Sequence, residues 1–157
     1  MARYEFLSTW LLRAPRTEVW NAIEDASAWP TWWRGVIASQ QLVPGDADGV
    51  GRRYRVRWRS AVPYPLEFEF EVDSVAAPGH MAGRAFGELE GTGVWRLYEQ
   101  RGLTAVTYDW RVRTAKAWMN AVAPVARPVF KWNHDWVMAR GAEGLAARLG
   151  VELVASG

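Results

Sequence analysis

The sequence contains no cysteine among its 157 residues. This absence excludes a disulfide framework, a thiolate nucleophile and every zinc site that uses cysteine ligands. Histidine is also scarce, because His80 and His134 are the only two, so a metal site would have to rely on carboxylates. We therefore predict no metal and no cofactor, and a domain of this size needs neither to remain folded.

Long apolar runs are missing as well. No stretch approaches the ~20 consecutive apolar residues of a transmembrane helix, and residues 1–6 lack the apolar run of a secretory signal. We therefore expect a cytoplasmic protein without stable membrane insertion. Half of the residues are hydrophobic and 23% are charged, which is typical of a globular chain. At this length we expect a single domain over residues 1–157.

Neither sign of charge is in large excess. The chain has 19 Lys and Arg against 17 Asp and Glu, for a net charge of +2, which does not produce a strong positive field. Nucleic-acid binding would therefore need a local cluster of basic residues. Alternate positions hold such a row, with aromatic residues between them that could stack on bases: Arg53, Arg55, Arg57 and Arg59.

An acidic row follows the arginine row after a proline-rich turn. Period two places its members on one face of a strand: Glu67, Glu69, Glu71 and Asp73. A hairpin would pair Arg59 with Glu67, Arg57 with Glu69, Arg55 with Glu71 and Arg53 with Asp73. Each cross-strand pair would contribute ~0.2–1 kcal/mol on the outer face. Because the acidic row neutralises the arginine row, we predict no nucleic-acid binding.

The hydrophobic pattern predicts an α+β domain. Period-two segments predict seven strands, at residues 3–13, 36–43, two within 52–75, 81–90, 94–100 and 104–113. A helix begins at Ala14-Pro15, and a second, short helix covers Trp29 to Trp33. The order is therefore strand, two helices, six strands and a long helix. Short turns between the strands predict a curved antiparallel sheet packed on the C-terminal helix.

The C-terminal segment from Lys116 to Leu149 has helical periodicity. Pro124 and Pro128 should kink or restart this helix, and Pro128 is well placed as the first residue of its main part. An apolar stripe at three- and four-residue spacings predicts the face that packs on the sheet: Phe130, His134, Val137, Met138, Gly141, Leu145 and Leu149.

The element order, together with two groups of residues, resembles the START-like helix-grip superfamily (SRPBCC), in its polyketide cyclase/dehydratase and lipid-transport branch. The N-terminal group is Ala14-Pro15, Val19-Trp20, Ile23, Asp25, Trp29-Pro30, Trp32-Trp33 and Val36. The C-terminal group is Trp118-Met119-Asn120, Pro124, Arg127-Pro128, Asn133-His134-Asp135, Met138, Gly141 and Gly144-Leu145. The resemblance covers nearly the whole chain. It implies a deep apolar cavity between the sheet and the long helix that binds lipids, sterols, polyketides or aromatic hormones.

Inward-facing aromatic residues of the predicted sheet agree with such a cavity, since ligand sites are mostly apolar with a few polar groups. The predicted ligand-binding residues are Tyr54, Trp58, Phe68, Phe70, Tyr108, Trp110, Asn120, Phe130, Asn133, His134 and Val137. The alternative is that the aromatic side chains fill a closed core. For the two asparagines, helix capping and interface hydrogen bonds are the alternative to a ligand contact.

His134 is the candidate catalytic residue, because an unperturbed pKa of about 6.5 suits a general acid or base near neutrality. The alternative is a histidine buried in the helix–sheet interface. Asp135 cannot orient it as in a catalytic triad, since neighbouring residues on a helix point about 100° apart.

Three functions therefore remain open. The first is a carrier of a hydrophobic small molecule, and the second is a polyketide cyclase/dehydratase-type enzyme that uses His134. The third is a protein-interaction role with a vestigial cavity, and a homodimer is compatible with the sequence.

Two further segments have open interpretations. In the weakly patterned strand 81–90, Glu88 and Glu90 share a face with Arg84. That face is either solvated or a buried ion cluster of functional interest. The segment Trp29 to Trp33 either forms an exposed aromatic patch or closes the mouth of the cavity, and we expect the latter.

Overall fold

The computed structural model describes residues 3–59, 65–115 and 117–157, without the side chains of residues 118–120, 122, 123 and 126. The strands are β1 (Arg3–Leu12), β2 (Val36–Val43), β3 (Arg53–Trp58), β4 (Leu66–Ala76), β5 (His80–Gly87), β6 (Leu89–Gln100), β7 (Leu103–Thr114) and β8 (Leu153–Ser156). The helices are α1 (Arg16–Glu24), a 3₁₀ helix (Ala26–Thr31) and α2 (Ala117–Leu149).

The eight strands form one antiparallel sheet in the order β2-β3-β4-β5-β6-β7-β1-β8. Consecutive strands from β2 to β7 are neighbours, as short turns require, and β1 lies between β7 and the edge strand β8. The helix α2 contacts β1, β7, β8 and α1. This arrangement confirms the predicted α+β helix-grip architecture.

The first helix begins directly after Pro15, whose missing N–H is harmless at that position. Its buried residues are Val19, Trp20 and Ile23, the apolar face that the spacing predicts. The short second helix differs from the prediction, because it covers Ala26–Thr31 and ends before Trp32 and Trp33. Both of these tryptophans are buried all the same.

The β3–β4 hairpin has a different register from the predicted one. Arg57 lies opposite Glu67, and Arg53 lies opposite Glu71, so every arginine is shifted by two residues relative to the acidic row. Alternation cannot distinguish two registers that differ by two residues, and Arg59, which the prediction paired with Glu67, lies beyond the ladder, where its backbone N–H donates to Gly35 O at 2.6 Å. A register shift of two residues leaves every side chain on the same face of the sheet, so both charged rows still point outward.

The boundary between β5 and β6 also differs from the prediction. The turn lies at Gly87–Leu89 rather than between residues 90 and 94, so Gly91 and Gly93 belong to a strand. Arg84 is exposed and pairs with Asp73 and Glu71 across the outer face. Glu90 pairs with Arg113, and Glu88 accepts the backbone N–H of Glu67. The three side chains therefore do not form a buried ion cluster.

The long helix α2 is continuous through both prolines. Of the two predicted effects, a kink or a restart, the restart is therefore wrong, and Pro128 is not the first residue of a separate helix. Each proline removes one hydrogen bond, but the helix continues on both sides. The predicted apolar stripe does face the sheet: Met138, Gly141 and Leu145 are buried, whereas Phe130 and Val137 are half-buried.

The sequence-based prediction of about seven strands missed β8. After Gly150, which has a positive φ of 66°, the chain turns back and pairs β8 with β1. Four residues with no clear alternation are too short for a periodicity argument. Among the described residues, no helix is long and apolar enough to cross a membrane.

Candidate functional site

A cavity of about 120 Å³ lies between the concave face of the sheet and α2. Its walls are almost entirely aromatic and aliphatic, and the lining residues are Tyr4, Phe6, Trp29, Trp33, Trp58, Leu66, Phe68, Leu89, Trp95, Tyr108, Trp110, Val112, Thr114, Phe130, Asn133, His134, Val137 and Met138. This composition matches that of a ligand pocket for an apolar molecule.

Most of the predicted ligand-binding residues line this main cavity. They are Trp58, Phe68, Tyr108, Trp110, Phe130, Asn133, His134 and Val137. Tyr54 and Phe70 instead line a second cavity of about 40 Å³ on the far side of the aromatic wall. The side chain of Asn120 lies outside the described residues.

Several lining residues escaped the sequence-based prediction. Tyr4 and Phe6 share a face with the buried Trp10 by simple alternation in β1, so the pattern could have identified them. Trp29 and Trp33 were not among the predicted ligand-binding residues, but we expected their segment to close the mouth of the cavity, and both are buried in its lining. They reach the cavity because the corner after α1 folds against α2, where the Trp33 indole donates to Val137 O at 2.9 Å.

The aromatic rings of the cavity form one packed cluster. Trp33 meets Trp58 edge-on at a centroid distance of 5.1 Å, and Tyr108 packs on Trp95 at 4.1 Å. Such contacts stabilise beyond the area they bury. Because the rings fill most of the space between sheet and helix, the cavity that remains is small.

His134 is enclosed in the main cavity wall. Its ring stacks on Phe6 with centroids 4.1 Å apart, and only 12% of its side chain is exposed. Neither ring nitrogen has a hydrogen-bond partner within the described part of the chain. Asp135 Oδ1 lies 3.6 Å from Nδ1, which is too far for a good hydrogen bond, and Asp135 Oδ2 instead accepts from Lys131 Nζ at 2.8 Å.

The surroundings of His134 favour its neutral form. Burial lowers the pKa of His134 to about 4, because the charged imidazolium loses its hydration, although nearby Asp135 acts in the opposite direction. The imidazole is therefore uncharged at neutral pH. It brings one N–H donor and one acceptor nitrogen to the wall of the cavity.

Two tyrosines of the cavity also remain uncharged. Burial is the main cause that raises the pKa of Tyr108, and the neighbouring Asp109 raises it further. Asp109 itself points to the outer face and pairs with Arg111 at 3.1 Å. Burial likewise raises the pKa of Tyr4, against the opposing charge of Arg127, whose guanidinium lies over the Tyr4 ring.

The Tyr4 hydroxyl is a further buried polar atom without a partner among the described residues. Thus three of the described lining side chains, Tyr4, Trp58 and His134, have unused hydrogen-bonding groups in a mostly apolar wall. Among the described residues, no group of three or more Asp, Glu or His side chains could hold a metal ion.

The second cavity contains an ion pair. Arg52 Nη1 donates to Glu24 Oε2 at 2.8 Å, and Arg52 Nη2 approaches Met81 Sδ at 3.4 Å. Arg52 is only 9% exposed, whereas about a third of the Glu24 side chain is exposed. Sequence reasoning missed this site, because Arg52 precedes the alternating arginine row and no local pattern separates it from that row.

A family comparison adds to this geometry. Residues 12–140 match the family described as polyketide cyclase / dehydrase and lipid transport. The chain belongs to this family. The match covers most of the chain and confirms the resemblance noted in the sequence, and with it the prediction of a protein that binds hydrophobic small molecules. No curated protein sequence matches the chain significantly.

Solved structures with the same fold include two aromatase/cyclases. The Zhui aromatase/cyclase from a Streptomyces species has a TM-score of 0.69 at 15% identity, over 94% of this chain and 96% of its own. The di-domain aromatase/cyclase BexL has a TM-score of 0.68 at 16% identity, over 91% of this chain. The chain spans about half the length of BexL, 50%.

A third similar structure is TTHA0849 from Thermus thermophilus, with a TM-score of 0.72 at 13% identity, over 92% of this chain and 99% of its own. At these identities, the three structures establish the fold alone.

Proposed function

We propose that this protein is a non-catalytic binder or carrier of a small apolar or aromatic molecule, held in the main cavity between the sheet and α2. The observation that carries the proposal is the cavity of about 120 Å³ with a continuous aromatic wall. A space of this order accommodates roughly one benzene-sized group, since an engineered apolar cavity of about 150 Å³ binds benzene.

The size of the cavity limits the ligand class. A fused polycyclic molecule would have to displace side chains from a closely packed wall, which costs stability. We therefore expect single-ring or short aliphatic ligands to bind more tightly than large polycyclic ones. Tyr4, Asn133 and His134 would provide the polar contacts that orient the ligand, and the predicted aromatic residues would provide its apolar contacts.

A cyclase/dehydratase-type reaction is the second candidate function, because His134 is unprotonated at neutral pH and could accept a proton. A general base of this kind is usually oriented by a hydrogen-bonded partner. Within the described residues His134 has no such partner, which favours the carrier. If the enzyme is correct, His134→Ala should abolish turnover of the substrate and leave its binding nearly unchanged.

The proposal also names the partners and location. The partner is a small molecule rather than nucleic acid, because the outer arginines face carboxylates, with Arg53 Nη2 at 3.6 Å from Glu71 Oε1. A cytoplasmic location and a homodimeric state are part of the proposal as further hypotheses. Gel filtration combined with light scattering would test the dimer.

The decisive experiment is a native mass spectrum of the protein as purified, before and after mild denaturation. A bound mass that is released on denaturation supports the carrier and identifies its ligand class. If the protein is empty, titration with aromatic probes of increasing ring number follows, with tryptophan fluorescence as the readout. We expect the single-ring probes to bind, because only they fit the cavity. Binding should change the fluorescence, because the cavity is lined by Trp29, Trp33, Trp58, Trp95 and Trp110.

A cavity-filling variant provides the matched control. Val137→Phe would place a ring into the main cavity, whereas Val129→Phe changes an exposed position on the same helix. We expect the first variant to lose probe binding about tenfold or more and the second to bind as the wild type does. Equal binding by all three proteins would refute a ligand site in the main cavity.

A further inference from the structure

The two cavities share a wall of five aromatic side chains. The residues that line both are Trp29, Trp58, Phe68, Trp95 and Tyr108. The shared wall consists of side chains rather than backbone. Rotation of these rings would therefore join the main cavity to the second one. The joined space would have His134 at one end and the pair of Arg52 and Glu24 at the other.

Arg52 has hydrogen-bonding capacity that the protein does not use fully. Its guanidinium carries five N–H donors, and Nη1 serves the Glu24 carboxylate. The contact of Nη2 with Met81 Sδ uses a weak acceptor, and Met81 lines the second cavity. Arg52 Nε lacks a hydrogen-bond partner within the described residues.

The shared wall adds a second unused donor. The indole Nε1 of Trp58 is buried without a hydrogen-bond partner among the described residues. A buried donor without a partner is unfavourable, because it has lost its hydrogen bonds to water. Both of the unpartnered buried atoms on the second cavity, Arg52 Nε and Trp58 Nε1, are donors, so a molecule that entered would be favoured by an acceptor oxygen.

The charges around the second cavity determine whether an uncharged or an anionic acceptor is favoured there. Glu24 already neutralises Arg52 at 2.8 Å, and the neighbouring Asp25 adds negative charge near Tyr54. A carboxylate from a ligand would therefore share the Arg52 guanidinium with the Glu24 carboxylate, and the exposed Asp25 outside the lining would add to the repulsion. An uncharged carbonyl accepts the same hydrogen bonds without that repulsion.

We infer that the second cavity is a polar subsite for the uncharged carbonyl end of an elongated ligand, such as a ketone or ester, whose apolar end lies in the main cavity. The space of about 40 Å³ is enough for a few atoms, since one water needs about 10–15 Å³. This inference rests on the proposed function, and it names a ligand feature that the main cavity alone does not require.

The test compares three matched probe series of increasing chain length: ω-phenyl ketones, the corresponding phenylalkanes and the corresponding phenylalkanoic acids. Dissociation constants would be measured by tryptophan fluorescence and calorimetry. We expect one chain length at which the ketone binds about tenfold more tightly than the phenylalkane, as a hydrogen bond from a charged donor provides. The acid should bind no better than the ketone.

Two variants test the role of the ion pair. The double variant Glu24→Gln/Arg52→Met removes both charges together, which avoids an unpaired buried charge, and it should abolish the tenfold preference for the ketone. Glu24→Gln alone should instead raise the affinity for the acid about tenfold. The matched control, Arg53→Met/Glu71→Gln, removes the neighbouring outward-facing pair and should leave all preferences unchanged.

The outcomes separate this inference from the proposed function. If the phenylalkanes bind but the ketones bind no more tightly, or if the preference persists in the Glu24/Arg52 double variant, the subsite is refuted and the apolar carrier stands. If none of the probes binds the wild-type protein, the proposed function fails, and the subsite fails with it.

Discussion

Folding changes the ionisation of His134 in a pH range that stability measurements can reach. In the unfolded chain its pKa is near 6.5, whereas burial against Phe6 lowers the pKa to about 4 in the folded protein. Between these two values the unfolded state binds more protons than the folded state. Stability should therefore rise with pH across this window.

The first prediction follows from this difference. The free energy of unfolding should be fully maintained above about pH 6.5 and should decrease as the pH falls towards 4, by up to about 3 kcal/mol from this residue. Urea denaturation at a series of pH values measures it. In His134→Phe this contribution should vanish, so an unchanged pH profile in that variant would contradict the prediction.

At Gly144 the packing leaves no room for one additional carbon atom. A Cβ at this position would lie 1.8 Å from the carbonyl oxygen of Trp32, which is a backbone atom that cannot move aside. We predict that Gly144→Ala destabilises the protein by about 2 kcal/mol or more, although alanine is the better helix former.

Chemical denaturation would test this prediction, with Ala147→Gly as the control. Ala147 is exposed on the same helix, and its replacement measures the helix-propensity difference of about 1 kcal/mol alone. If Gly144→Ala instead stabilised the protein by about 1 kcal/mol, the result would contradict the close approach of the Trp32 backbone to α2.

At the scale of the elements, helix α2 contains a residue that is unfavourable in a helix interior, Pro128. Pro128 lacks the N–H that would donate to the carbonyl of residue 124, and its ring crowds that carbonyl. Because the first half of α2 also carries exposed apolar side chains at Val125, Val129 and Trp132, it packs less completely than the second half.

We predict that Pro128→Ala raises stability by about 1–3 kcal/mol, because it restores one helix hydrogen bond and removes a steric contact. For a domain of this length the corresponding rise in Tm is roughly 2–4 °C per kcal/mol. Calorimetry measures it. A fall in Tm would contradict this prediction.

At the scale of the whole molecule, the aromatic wall that the two cavities share links the stability of the protein to the size of its ligand. Phe68 stacks on Trp58 and on Trp110, with centroids 6.3 and 5.6 Å apart, respectively, and it lines both cavities. Removing its ring would merge the two cavities into a larger space. The same change would lose the contacts that the ring makes.

We predict that Phe68→Ala lowers the free energy of unfolding by about 3 kcal/mol and shifts ligand preference from single-ring to two-ring aromatic probes. A saturating two-ring probe at roughly 100 times its dissociation constant should restore about 2.7 kcal/mol. Phe86→Ala on the outer face, beside Arg53 and Arg84, is the control and should show no change of preference.

The faces of the sheet were predictable from the sequence, but the strand register was not. Alternation in β3 and β4 places the charged rows outward whether the pairing is shifted by two residues or not. Alternation therefore cannot select the register, in which Arg57 lies opposite Glu67 and Arg59 instead donates its N–H to Gly35 O. That contact joins residues 24 positions apart, and no local pattern contains it.

The cavity shows the same division. Residues such as Phe68, Tyr108, Phe130 and Val137 could be predicted because each lies on the inward face of a periodic element. The indole rings of Trp29 and Trp33 and the ion pair of Arg52 with Glu24 could not, because the corner that carries Trp29 and Trp33 and the loop before β3 have no period.

The sequence by itself therefore determined the class, the element order, the inward faces and the apolar character of the site, since periodicity and composition are local properties. Only the tertiary structure decided how much space the aromatic rings leave, that His134 has no hydrogen-bonded partner among the described residues, and that Arg52 faces a second cavity. These properties depend on distances between side chains that are remote in the chain, and such distances are set by packing.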